Sequence, residues 1–176
     1  MSEQVVSQQV VPGPGAVVSH AVVEPHWIDF NGHMNYAQYV GAFDAASDVL
    51  LAELGLGPSY RARTGRTTYV VEAHLTYDRE VKEADPLEIH TFLAGADDKR
   101  LHLYMRMFHA TTRTLVATNE LLCLHVDQSG PAARAVVFTA EQGELIAAMA
   151  GAHAPLVRDV TLGKGIGLKG RRASAG

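Results

Sequence analysis

The apolar periodicity of this chain switches from a helical to an alternating step near its middle, and that switch limits what it can fold into. From Tyr36 onward, Tyr39, Val40, Phe43, Ala46, Leu50 and Leu54 recur at three- and four-residue steps, the period of a helix of about five turns. Gly55 and the Gly57-Pro58 pair stop it. From Thr67 the period is two. In "TYVVEAHLTYDRE", Tyr69, Val71, Ala73, Leu75 and Tyr77 share one face. In "PLEIHTFLAG", Leu87, Ile89 and Leu93 do the same. In "KRLHLYMRMFHA", Leu101, Leu103, Met105 and Met107 oppose His102, Tyr104, Arg106 and Phe108. The end of "TLVATNELLCLHVD" is apolar on both faces, as a central strand would be. "GADDK" and "ATTRT" are short links, so these strands pair antiparallel. A helix followed by consecutive strands implies the α+β class with an antiparallel sheet. Ala37, Gly41, Ala42, Ala45 and Ala46 keep the helix thin on several sides, which suits a sheet curved around it.

The flanks are simpler. "AVVSHAVVE" predicts a first strand ended by Pro25, and "RAVVFT" a short last one. "TAEQGELIAAMAGAHA" predicts a second helix opened by a capping box of Thr139 and Gln142. Three regions are expected: a disordered arm over 1–15, one domain over 16–160, and a basic glycine-rich tail over 161–176. The leader "MSEQVVSQQVVPGPG" carries Glu3 where a secretory signal has basic residues, and no apolar run is long enough to span a membrane. A cytoplasmic protein without membrane partners is the expectation. A net charge of −4 gives no electrostatic case for nucleic acid. The single cysteine, Cys123, sits in "ELLCLHV" and is expected to be a buried small hydrophobe. Nine histidines form no recognised ligand spacing, so neither metal nor cofactor is expected.

The polar residues concentrate just before the long helix. "HWIDFNGHMNYAQYV" places Asp29, Asn31, His33 and Asn35 within seven positions. A loop entering a helix carries unpaired N–H groups and the positive end of the macrodipole, which favours developing negative charge. An acid, an amide and an imidazole beside it supply a base or nucleophile, a donor and a proton carrier. The simpler readings are an N-cap for Asn35, turn residues for Asp29 and Asn31, and a hydrogen-bonded structural histidine for His33.

The spacing Asp29, Asn31, His33, Asn35, Tyr39 resembles the entrance motif of hotdog-fold acyl thioesterases, the superfamily of 4-hydroxybenzoyl-CoA thioesterase. Plant acyl-ACP thioesterases share the Asp, Asn and His spacing and pair it with a glutamate in a "YRRE" context. "YDRE" here makes Glu80 the matching position. "EAHLTYDREVK", "DDKRLHLYMRMFH" and "ATNELLCLHVD" are similar to small bacterial acyl-CoA thioesterases of carnitine and betaine breakdown, and the likeness spans about 20–160. The resemblance implies a hotdog fold, a curved antiparallel sheet wrapped around one long central helix. It implies an acyl-CoA substrate with a short or charged acyl group, and a homodimer or homotetramer with interface active sites. Asp29, Asn31, His33 and Glu80 become the catalytic candidates, and Asn35 and Tyr39 candidates for binding substrate. Basic residues able to meet CoA phosphates are Lys99 and Arg100, with Lys164, Lys169, Arg171 and Arg172 in the tail. Tyr36, Phe43, Tyr69 and Phe108 are candidates for setting pocket depth. Two rival functions use the same frame: an enoyl-CoA hydratase or dehydratase, and an acyl-CoA-binding sensor that performs no chemistry.

Overall fold

The computed structural model describes residues 15–158, 160 and 162. The arm over 1–14 and the tail residues Lys164, Lys169, Arg171 and Arg172 lie outside them. β1 (Val17–Val22) is followed by a 3-10 turn (Pro25–Trp27), the helix α1 (Tyr36–Glu53) and the short helix α2 (Pro58–Thr64). Four long strands come next: β2 (Arg66–Tyr77), β3 (Pro86–Ala96), β4 (Arg100–His109) and β5 (Leu115–Asp127). A two-residue β6 (Arg134–Ala135) and the helix α3 (Ala140–Val157) end the order. The strands form one antiparallel sheet ordered β1-β3-β4-β5-β2, with β6 beside β5. This is the curled α+β sheet with helices that the periodicity predicts.

Local chemistry sets the ends of α1. Asn35 Oδ1 accepts the N–H of Ala37 at 2.9 Å, so Asn35 is the N-cap. At the other end Gly55 adopts φ +70°, its N–H donates to the Ala52 carbonyl, and the Leu56 N–H donates to that of Leu51. This is the left-handed glycine stop that satisfies orphan carbonyls. Tyr39, Ala42, Phe43, Ala46, Leu50 and Leu51 are buried against Leu87, Ile89 and Leu93 of β3 and Leu101, Leu103, Met105 and Met107 of β4. Burying side chains of this size is worth about 1.5–3 kcal/mol each. Wrapping is incomplete, however. Ala37, Val40, Gly41, Asp44, Ala45, Asp48 and Val49 remain exposed, so of the five small residues named from sequence Ala42 and Ala46 meet the sheet and Ala37, Gly41 and Ala45 face outward.

Two details depart from the sequence pattern. The register of β2 against β5 shifts between Val70 and Glu72. The bulge puts Tyr69 on the opposite face from Ala73, Leu75 and Tyr77, so the single alternating face expected from Tyr69 to Tyr77 is broken. The helix α2 was not expected: "PSYRART" buries only Tyr60 and shows no apolar period. The capping box of α3 is present, with Gln142 N–H to Thr139 Oγ1 at 3.3 Å and Thr139 N–H to Gln142 Oε1 at 3.0 Å.

The two sheet edges differ. β1 pairs with β3 only as far as Thr91. Beyond it, buried His153 of α3 covers the edge, its Nδ1 accepting the Leu93 N–H at 2.8 Å and its Nε2–H donating to the Gly15 carbonyl at 2.7 Å. β2 pairs only with β5 and is exposed on both faces over most of its length.

Candidate active site

The segment before α1 folds back on itself. The Asp29 N–H donates to the His33 carbonyl at 3.0 Å and the Gly32 N–H to the Asp29 carbonyl at 3.0 Å. Gly32 sits at φ +80°, a conformation that L side chains rarely adopt. The returning strand is pinned on both sides, Asn35 N–H to the Trp27 carbonyl at 2.8 Å and Met34 N–H to the Val81 carbonyl at 2.9 Å. The second of these bonds brings the entrance loop against the segment leaving β2. Sequence distance therefore hides a close approach between Asp29 and the "YDRE" residues.

An open cleft of about 310 Å³ lies at that junction, lined by Asp29, Met34, Tyr36, Tyr39, Tyr77, Asp78, Arg79 and Glu80. Asp29 Oδ1 accepts the Asn31 N–H at 2.8 Å, which fixes the carboxylate and leaves Oδ2 for the cleft. His33 Nε2 lies 3.1 Å from Glu80 Oε1, with side chains 29% and 68% exposed. A pair that wet contributes about 0–1 kcal/mol to stability, so it costs little to rearrange. Asn35 occupies the N–H groups of Ala37 and Gln38, with its side chain and its carbonyl respectively, both at 2.9 Å. The amide of Tyr36 is then the one at this helix end without a hydrogen bond among the described residues. Burial pushes the Tyr39 hydroxyl above its ordinary value, with the Val81 backbone opposing, so it stays a neutral phenol. Its ring meets that of Tyr77 edge to face, centroids 5.2 Å apart at 85°.

Of the residues singled out from sequence, Asp29, Tyr39 and Glu80 line this cleft, and His33 joins it through Glu80. Asn31 enters through its backbone, its side chain being exposed, and Asn35 is the helix cap. Lys99 and Arg100 are elsewhere. Tyr77 pairs with Ala117 of β5, whereas Arg100 pairs with Leu124, seven residues or about 23 Å along the same strand. Arg100 is tied by its side chain to Asp97, which also accepts the Lys99 and Arg100 N–H groups. Of the four pocket-depth candidates only Tyr36 lines the cleft. Phe43 and Phe108 are fully buried, and Tyr69 lies on the far side of the bulge. Tyr77, Asp78 and Arg79 were missed as site residues, although they stand next to Glu80 in the quoted motif. Cys123 is buried and its thiol is pushed up to about 12, chiefly by desolvation, so it is no nucleophile. No group of three or more potential metal ligands occurs among the described residues.

Comparison with known proteins gives the family. Residues 23–150 match the model of the thioesterase-like superfamily. The chain belongs to that superfamily. A betainyl-CoA thioesterase of Pseudomonas aeruginosa is 36% identical over 146 residues, 83% of this chain and 91% of that protein. An L-carnitine dehydrogenase/betainyl-CoA thioesterase of Agrobacterium fabrum is 42% identical over 107 residues, which are 61% of this chain but only 22% of that longer protein. Among solved structures, the protein SAV2348 of Staphylococcus aureus in complex with CoA superposes with a TM-score of 0.72 at 25% identity, covering 85% of this chain and 89% of that one. A 4-hydroxybenzoyl-CoA thioesterase bound to its substrate gives 0.68 at 20% identity, covering 75% and 99%. These neighbours carry the hotdog fold, and this thioesterase shares it.

Proposed function

We propose that this thioesterase hydrolyses acyl-CoA esters with a short, positively charged acyl group, betainyl-CoA or a close analogue, to the free acid and CoA. The observation that carries the reading is the fixed Asp29 carboxylate, with one oxygen held and one free, in a cleft beside the start of α1. Asp29 Oδ2 takes a proton from water. The water oxygen bonds to the acyl carbon, and the Tyr36 amide and the positive helix end stabilise the oxyanion. The carbon–sulfur bond then breaks, and the CoA sulfur leaves with the proton that Asp29 held. The product acid gives up the second proton of the attacking water, and the half-exposed His33–Glu80 pair beside the cleft is its route to solvent. A single turnover in heavy-oxygen water tests this route against direct attack by Asp29: label in the Asp29 side chain, or an acyl-enzyme trapped by rapid acid quench, shows attack by Asp29, and label in the product with no trapped acyl-enzyme shows attack by water.

Asp29→Ala is expected to abolish thiol release from betainyl-CoA while the protein stays folded. Near-normal activity would end the assignment. A panel of enoyl-CoA substrates addresses the hydratase alternative, because hydration leaves the thioester intact.

The same reading includes a homodimer, with tetramers by further pairing. β2 offers a long unpaired edge, and Val70, Val71, Val40 and Val49 are exposed beside it, with Phe30 97% exposed next to Asp29. Soluble proteins do not normally leave such an edge bare. Joining two β2 edges would cover it and bring a partner's strand near each cleft. Val71→Lys places a charge on that edge, and light scattering should then report a monomer. An unchanged dimer would move the interface elsewhere. A cytoplasmic site of action completes the proposal, supported by the absence of any helix long and apolar enough to cross a membrane among the described residues.

A further inference from the structure

The cleft beside Asp29 has an unusual lining for a site that handles CoA. Its charged side chains are Asp29, Asp78, Glu80 and Arg79, an excess of two negative charges. CoA phosphates are repelled by such a surface, so the cleft takes the acyl end of the substrate. An anionic acyl group is repelled for the same reason. The remaining walls are largely aromatic: Tyr36, Tyr39 and Tyr77. Tyr39 and Tyr77 meet edge to face, 85° between planes, so each holds the other's orientation at the cleft wall. The Tyr77 hydroxyl reaches toward the Tyr36 main-chain carbonyl at 3.4 Å, and the Tyr36 side chain lines the same cleft. Tyr39 is only 4% exposed and anchored in the core, whereas Tyr36 and Tyr77 are 71% and 49% exposed. One wall is therefore rigid and two are adjustable.

A cleft lined by three tyrosines and three carboxylates matches one chemistry closely. A quaternary ammonium carries diffuse positive charge and apolar methyl groups and donates no hydrogen bond. It is held by ring faces through the aromatic quadrupole rather than by a point contact. A primary ammonium would seek a directed hydrogen bond to one carboxylate instead. We infer that Tyr36, Tyr39 and Tyr77 form the acyl subsite of this enzyme and select a quaternary-ammonium acyl group, with Asp78 adding longer-range attraction. The inference rests on the thioesterase reading above and deepens it, because it assigns acyl selection to three named rings. The Tyr39 hydroxyl stays protonated in its buried setting, so the rings meet the cation as neutral phenols.

Two substrates of nearly equal shape test this. Betainyl-CoA carries a trimethylammonium, and tert-butylacetyl-CoA carries its uncharged carbon isostere. After division by the ratio of their hydroxide hydrolysis rates, which removes the inductive activation by the ammonium, kcat/KM of the full chain should favour the cation by roughly 10- to 30-fold, the range expected of partly desolvated cation–π contacts. Tyr77→Leu should reduce that ratio to within about threefold, because the leucine keeps apolar contact but has no quadrupole. Tyr77→Phe should preserve it. Tyr36→Leu is a second exposed-site variant, with a smaller reduction expected, and Asp78→Asn should lower the ratio only at low salt. Equal kcat/KM for the two substrates in the unmodified enzyme after that division would overturn the subsite, as would parallel losses on both in Tyr77→Leu. If the protein hydrolyses neutral acyl-CoA esters but not betainyl-CoA, the inference falls and the thioesterase assignment stands. If it hydrolyses no acyl-CoA at all, the acyl-CoA reading falls first.

Discussion

The two ends of the sheet are built on opposite terms. At the far end the polar groups of His125, Asp127 and Asp97 are spent on structure. His125 is fully buried, with Nδ1–H donating to the Val136 carbonyl at 3.1 Å and Nε2 accepting from the Tyr60 hydroxyl at 2.9 Å. The carbonyl can only accept, so it fixes the tautomer, and the Phe138 ring stacks on the imidazole at 4.7 Å. Asp127 is held by Ser129 and Arg66, and Asp97 by Arg100. At the Asp29 end, one carboxylate oxygen and one helix amide have no hydrogen bond among the described residues, and three tyrosines line an open cleft. Residue types at the two ends overlap, since both have a histidine, acids and tyrosines. What separates them is satisfaction, not composition.

That contrast breaks first at Asp29. Asp29→Asn should lower kcat by about a thousandfold or more, the scale of losing a group that acts only in the transition state, with thermal stability barely changed. Thiol-release kinetics and a melting curve on the same sample report both. The far end should behave inversely. His125→Ala loses two hydrogen bonds and a ring stack and should destabilise by about 2–4 kcal/mol in urea titration, with kcat per folded molecule retained. An activity loss larger than the unfolded fraction would show that the ends are coupled.

Acid sharpens the same comparison. Burial holds His125 below its ordinary value of 6.5. The unfolded chain then binds a proton that the folded one refuses, so stability is lost as pH falls below about 6.5, and His125→Gln should flatten that slope. Glu88 acts lower on the scale. Arg113 first, then His90, hold its carboxyl down to about 2. Its contribution is complete above about 4.5 and fades toward 2, so Glu88→Gln should lower stability at neutral pH and weaken the acid limb in that window.

How far these ends were legible depends on what each residue type reports. The strand β4 was readable because its alternation is uninterrupted, and α1 because its cap and its apolar steps agree. The bulge at Val71 was not, since two consecutive valines look alike on either face. The helix α2 gave no period to find. At the site, Asp29 and Glu80 could be named, but their meeting depends on the Met34–Val81 backbone bond, which no side chain announces. Phe43 and Phe108 illustrate the opposite error: a large apolar ring signals burial more readily than it signals a pocket. Lys99 and Arg100 carried the right charge for phosphate, but charge does not say at which end of a strand a turn will lie.

The smallest expected effect concerns that last point. Lys99→Ala should change KM for CoA esters by less than about threefold at moderate salt. Lys99 lies in the turn after Asp97, its N–H held by Asp97 Oδ1 at 3.1 Å, and it does not line the Asp29 cleft. Arg100→Ala should be as mild for catalysis, since its guanidinium already answers Asp97, and that partly exposed pair is worth about 1 kcal/mol or less. A larger rise in KM that vanishes at high salt would have a specific meaning. It would place CoA phosphates against the 97–100 turn, which an antiparallel β2–β2 dimer brings toward the partner's cleft. The Val71→Lys monomer then decides the source: a salt-sensitive KM that disappears with dimerisation comes from the partner, and one that persists comes from the same chain.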